Sequence, residues 1–222
     1  MPSKARSAGV RAAWLAGVLL ALPAAGSAQP YPTKPMRFVV GYAPGGGTDI
    51  MARAIAAKLP ELLKQQVIVE NRPGANANLA AEHVSRQPAD GYTVLFTSVS
   101  HAMNKVVYRN LGYDFERDFV PLAIVSEVPN LLAVHPSLPV RTVPEMIALA
   151  RKRPGQITYG VAGIGSPGHF AGEMFEMMAK LDLLVVPYKG GGPMAIDLVG
   201  GHVVATFNAL PALMPHVRSA KI

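Results

Sequence analysis

The chain has 222 residues, an apolar content of 50%, no cysteine and a formal charge of +7. This length permits one large or two small domains. The absence of cysteine excludes a disulfide framework, and the lack of any basic run or basic–aromatic alternation excludes a nucleic-acid partner.

Residues 1–28 read as a cleavable secretory signal peptide. Lys4, Arg6 and Arg11 stand without an acid, Trp14 to Ala25 is apolar, and Gly26 and Ala28 occupy −3 and −1 of a cut before Gln29. The apolar stretch is too short to span a bilayer, and Pro23 breaks it. Without this segment 18 basic residues face 14 acidic ones, a mild excess compatible with anionic ligands. With no second long hydrophobic run, the chain reads as a soluble exported protein.

From Met36 onward strand and helix patterns alternate. MRFVVGYA is a strand, and Thr48 to Leu63 is helical with Met51, Ile55, Leu59 and Leu62 on one face. Pro60 must end or kink that helix unless it opens a second short turn. QVIVE is a strand, NRPG a turn, Asn78 to Arg86 a short helix, and YTVLFTSV a strand. Tyr108 to Asp118 reads as a loop.

FVPLAIVSEV and NLLAVH then read as consecutive strands, with Pro121 and Pro129 confining them to edges or crossings. Thr142 is an N-cap, with Pro144 in the first turn and Glu145 at the third position. ITYGVA is a strand, and His169 to Lys180 a helix with Phe170, Met174, Met177 and Met178 directed inward. DLLVVPY is a strand, Gly192 to Val199 a short helix, GHVVATF a strand, and Leu210 to Val217 a final helix. Alternation of this kind implies an α/β fold with mostly parallel sheets flanked by helices.

One local device occurs twice: a strand, a glycine-rich turn and a helix N-terminus. It appears as MRFVVGYA–PGGG–TDIMARAI and as ITYGVA–GIGSPG–HFAGEMF. Free amides of the first helical turn and the helix dipole form an anion site there, to which Thr48 or Ser166 can add a hydroxyl. Two such turns in separate halves point to a ligand held between two lobes.

Gly163 to Gly168 also satisfies G-x-G-x-x-G, the dinucleotide fingerprint. That reading needs an acid at the end of the next strand, whereas Asp182 lies at the strand's start. It leaves an exported nucleotide-dependent oxidoreductase as the alternative function. Neither turn has the lysine of a P-loop, and Ser166 lacks the glycine two residues before it that a nucleophile elbow requires. The six histidines show no H-x-x-x-H pair, so no metal site is expected. No catalytic residue and no cofactor are predicted.

The blocks APGGGTD, VENRPGAN, ADGYTVLF, VHPSLPVRTVPEMIALAR, ITYGVAGIGSPGHFAGEMF, VPYKGGGPMAIDLVGG and FNALPALMPHV follow one another along the chain. In this order they resemble the Bug family of periplasmic receptors for tripartite tricarboxylate transporters. The resemblance implies a two-lobed flytrap fold of the periplasmic binding protein kind (type II-like), with the first lobe at 29–125 and the second at 126–222. It implies a monomeric receptor, not an enzyme. Its ligand would be a small carboxylate (a di- or tricarboxylate, an amino acid or an aromatic acid), delivered to integral-membrane transporter subunits.

The resemblance also places the site. Its first loop comprises Tyr42, Ala43, Pro44 and Gly45, continuing through Gly46, Gly47, Thr48 and Asp49. The second comprises Gly163, Ile164, Gly165, Ser166, Pro167 and His169. Ser98 and His101 support the first lobe, and Asp197 and Asn208 the second.

The chain departs from the family pattern at three points. Ala77 stands where glycine is usual, which is costly if the backbone there needs positive φ. Val204 stands where an acid is common. The chain stops at Ile222, where relatives continue, so a C-terminally truncated chain with an incomplete first lobe and impaired function is expected.

Overall fold

The alternation of short apolar strands with helices resolves into two sheets in a computed structural model, which describes residues 30–222. The signal peptide expected at 1–28 lies outside the described residues. In the first sheet β1 (Met36–Val40) lies between β2 (Val67–Asn71) and β3 (Thr93–Phe96), all parallel. Val39 and Val40 are fully buried, because a central strand is covered on both faces and must be apolar throughout.

The helix expected from Thr48 to Leu63 is two helices. These are α1 (Gly47–Ala56) and α2 (Leu59–Leu63), with Pro60 in the first turn of α2. A proline there has no amide hydrogen to lose, so it opens the second helix instead of kinking the first. A 3₁₀ turn at Ala75–Ala77 leads into α3 (Asn78–Ser85). Ala75, Asn76 and Ala77 all have positive φ, and Ala77 sits at 69°. Each non-glycine residue in this region costs about 1–2 kcal/mol. Packing holds the turn: Ala77 is fully buried in a cluster with Phe38, Val40 and Phe96, and the Asn76 amide donates to Asn104 Oδ1 at 2.9 Å.

The strand YTVLFTSV stops at Phe96, and the chain turns into α4 (Ser100–Val107), a helix the sequence pattern did not signal. The expected loop 108–118 contains a short helix, α5 (Phe115–Asp118), with Asp114 accepting the amides of Glu116 and Arg117. The expected strand FVPLAIVSEV does not form. Residues 119–129 belong to no regular element, and Val120, Leu122 and Ile124 are exposed. Alternating apolar residues make a strand only beside a partner, and no strand among the described residues pairs with this segment.

The second sheet has the order β4-β7-β5-β6, from β4 (Asn130–Val134), β5 (Thr158–Val161), β6 (Leu184–Pro187) and β7 (Ala205–Ala209). Only the β4–β7 pair is antiparallel. Its helices are α6 (Val143–Lys152), α7 (Pro167–Ala179), α8 (Gly191–Val199) and α9 (Leu210–Arg218). Thr142 caps α6 as expected, accepting the Glu145 amide, while the Glu145 carboxylate takes the Arg141 amide at 2.6 Å.

The inward face assigned to α7 is corrected. Met174, Met177 and Met178 are 56%, 73% and 77% exposed. The buried face is instead Gly168, Gly172 and Ala179, with a Cβ on Gly172 falling 2.3 Å from the Tyr159 ring. The glycines let the helix axis approach the sheet closely. At about 100° per residue, Met174 and Met177 then point to the opposite side and Met178 to the flank.

Candidate ligand-binding site

In the first sheet the chain winds from β1 to β2 on one side and reaches β3 on the other. The loops after β1 and β3 therefore part and leave a crevice at their carboxyl ends. The same division separates the loops after β5 and β7 in the second sheet. A cavity of about 640 Å³ lies where these four loop ends meet. Tyr42 and Gly46–Thr48 line it from β1, Thr97–Val99 from β3, Ala162 and Ser166–Gly168 from β5, and Asn208–Ala209 from β7.

The first loop is held by the residue expected to bind. Asp49 is buried, and its carboxylate accepts the Gly45 amide at 2.9 Å, Asn71 Nδ2 at 2.8 Å and Arg53 Nε at 3.0 Å. Burial pushes this carboxyl up, but the hydrogen bonds from Arg53, Gly45 and Asn71 outweigh it and leave it below its usual range. Asp49 thus points back into its own loop, and Gly46, Gly47 and Thr48 face the cavity. Gly46 is the N-cap of α1 and no side chain caps it, so the first-turn amides are open to a ligand.

Ala43, Pro44 and Gly45 do not line the cavity. They meet a third strand–glycine–helix junction, LVVPY–KGGG–PMAIDLV, which the sequence reading left aside. The Ala43 amide donates to the Lys189 carbonyl at 2.9 Å. Gly192 packs so tightly on this loop that a Cβ there would lie 2.1 Å from the Pro44 oxygen. The glycines of APGGG thus admit a second glycine loop on one side and open to the cavity on the other.

The second expected loop divides in the same way. Ser166 and Pro167 line the cavity with Gly168. Gly163 and Gly165 face Asn76 instead, and the Ile164 carbonyl accepts Tyr108 Oη–H at 3.0 Å. A dinucleotide loop presents its glycines to pyrophosphate, whereas these two pack against protein. His169 also turns away: Nδ1 accepts the Gly165 amide at 3.3 Å and Nε2 lies 3.5 Å from Glu173.

Of the supporting residues, Ser98 and Asn208 line the cavity, while His101 and Asp197 do not. His101 is buried on α4, stacked on Phe115 and 2.8 Å from Tyr113 Oη, and burial pushes its pKa down to about 4. Asp197 accepts Tyr188 Oη–H at 2.7 Å. Burial, followed by that carboxylate, pushes the Tyr188 hydroxyl up to about 12.

Behind the cavity wall runs a buried polar network. Tyr42 Oη lies 2.9 Å from Ser100 Oγ and 3.2 Å from both Ser98 Oγ and Asn76 Oδ1. Asn104 continues it by donating to Asn78 Oδ1 at 2.6 Å. Burial raises the Tyr42 hydroxyl, so it stays protonated as a donor.

The sequence reading missed several parts of the wall. Thr97, Met51, Phe96 and Val99 line it, as do Gly191 and the segment Ala123–Val128 with Asn130. Thr97 Oγ1 is buried without a hydrogen-bond partner. The one available signal was the glycine run at 190–192. The segment 123–128 lies within FVPLAIVSEV, whose pattern reads as a strand and says nothing of a cavity wall.

The family model described as "Tripartite tricarboxylate transporter family receptor" matches residues 51–222. The protein BugT of Bordetella pertussis is 35% identical over 198 residues, which cover 88% of this chain and 61% of BugT. Among solved structures, Rpa4515 of R. palustris with adipate superposes with a TM-score of 0.84 at 43% identity, over 86% of this chain and 64% of that one. The periplasmic binding protein BugD gives 0.83 at 31% identity, with the same coverage. The chain thus spans under two thirds of the length of these relatives and shares the α/β fold of periplasmic binding proteins.

Proposed function

Because the chain belongs to the tripartite tricarboxylate transporter receptor family, we propose that it is an extracytoplasmic receptor that binds a small carboxylate in this cavity without transforming it. One observation carries the reading. The uncapped N-terminus of α1 opens on a cavity lined by no lysine, arginine or histidine among the described residues. Main-chain amides and the helix dipole are therefore what such a wall offers an anion. Hydroxyls of Tyr42, Thr48, Ser98 and Ser166 and the Asn208 amide supplement them.

The adipate-bearing neighbour at 43% identity supports a carboxylate ligand. In this reading the two sheets belong to two lobes, 29–125 and 126–222. The receptor acts in the periplasm as a monomer and hands its ligand to membrane subunits of a transporter.

Isothermal titration of the purified chain with di- and tricarboxylates, amino acids and aromatic acids tests the proposal. Saturable binding of a carboxylate, abolished by Gly47→Val at the α1 terminus in a variant with an unchanged circular dichroism spectrum, is the expected result. A folded chain that binds none of them overturns it.

A further inference from the structure

The exposed side of α7 has an unusual composition. A solvated helix face ordinarily carries charged and polar side chains. Here three of the four exposed residues of the helix are Met174, Met177 and Met178, and the fourth is Glu173. Gly168 and Gly172 hold the opposite face against the sheet, which leaves these thioethers outside. Nowhere else in the chain do two methionines lie within four positions of each other.

Their spacing brings three sulfurs to one place. Met177 and Met178 stand three and four positions after Met174, and on a helix both are its neighbours, with Cβ atoms about 5–6 Å away. Three sulfurs held about 2.3 Å from one ion, as in zinc–sulfur bonds, lie about 4 Å from each other. Unbranched side chains with three rotatable bonds can close that difference. Thioethers are soft, uncharged donors, and they select Cu(I) over harder divalent ions. The surrounding charge also suits a cation. Met177 lines a surface groove with the carboxylates of Glu173 and Glu176 and the single ammonium of Lys180. The chain has no cysteine to compete for such an ion.

We propose that Met174, Met177 and Met178 form a three-sulfur site on the outside of α7 for a soft monovalent cation of the Cu(I) class. None of the three lines the cavity, so the site stands or falls apart from the carboxylate reading. Met174 is its shared member, since it neighbours both others, while Met177 and Met178 lie about a quarter turn from each other.

The test is a nuclear magnetic resonance titration of the chain, isotope-labelled in its methionine methyl groups, with silver nitrate in chloride-free buffer. Silver ion is the air-stable member of this class. The three methyl signals of α7, assigned from single Met→Leu variants, should shift together and saturate at one ion per chain. Zinc ion at the same concentration should move none of them. Met174→Leu should weaken silver binding about tenfold or more, because linked donors owe their strength to effective concentration. Replacing all three with leucine should abolish it. The circular dichroism spectrum should not change, since leucine is close to methionine in volume and the positions are exposed. The proposal is overturned if the three signals do not shift, if zinc moves them equally, or if binding survives Met174→Leu unchanged or persists in the triple variant.

Discussion

Gly192 on α8 and Pro44 in the loop after β1 are packed backbone to backbone, with no room for a Cβ between them: one built on Gly192 would lie 2.1 Å from the Pro44 carbonyl oxygen. This contact joins the first sheet's glycine loop to the second sheet, and the hydrogen bond from the Ala43 amide to the Lys189 carbonyl runs beside it. The loop that presents Gly46–Thr48 to the cavity is therefore braced from behind by a residue about 150 positions away.

Gly192→Ala should force the two loops apart. Overpacking against backbone costs about 1–3 kcal/mol or more, so a lower thermal midpoint and weaker carboxylate binding are expected together. Gly45→Ala makes a useful contrast. The nearest atom to its Cβ is at 3.7 Å, but its φ is +80°, so the cost is the left-handed strain of about 1–2 kcal/mol. Thermal melts followed by circular dichroism measure both.

Asp49→Asn should destabilise the chain at pH 7 by about 1–3 kcal/mol, since it weakens charge-assisted hydrogen bonds to a buried group. The Asp49 carboxyl is held below its usual range. Its contribution is thus fully present above the unfolded value and is lost as pH falls through the lower folded value. Denaturant melts from pH 7 to pH 3 should show a steeper acid loss for the unaltered chain than for the variant.

His101 predicts a different window. Burial lowers its pKa from 6.5 to about 4, so the unfolded chain binds the extra proton between those values and the folded chain does not. Stability associated with neutral His101 is complete above pH 6.5 and declines as pH falls toward 4. The full span is on the order of 3 kcal/mol. His83 is shifted in the same direction, so the comparison requires His101→Gln. That variant should lose part of the slope between pH 6.5 and 4 in equilibrium unfolding.

Met177→Lys and Met178→Lys should each change stability by less than about 0.5 kcal/mol, as expected of exposed positions away from special features. Had these side chains filled the core, burying an unpaired ammonium would cost several kcal/mol. Gly172→Ala on the other face of α7 should be far more costly, because its Cβ falls 2.3 Å from the Tyr159 ring. The thermal midpoints of the three variants separate the two orientations.

Local signals in the chain determined much of this protein. Strand and helix alternation, the Thr142 cap and the glycine turns ahead of α1 and α7 were legible, because propensity, capping and periodicity act over a few residues. Ala77 was marked as costly at positive φ, and it sits at 69°. Seven block motifs carried the family, since their order along the chain is a property of the sequence alone.

Tertiary structure decided what those parts face. Asp49 and Thr48 are neighbours in one glycine turn, yet Asp49 folds back onto Gly45 and Thr48 faces the cavity. The methionines of α7 had a helical period, but the period does not say which face meets the sheet, and Gly168 and Gly172 settled that by close approach. FVPLAIVSEV had a strand's composition, but no strand among the described residues pairs with it. Orientation, pairing and close contact depend on atoms brought from distant positions, and no local pattern carries that information.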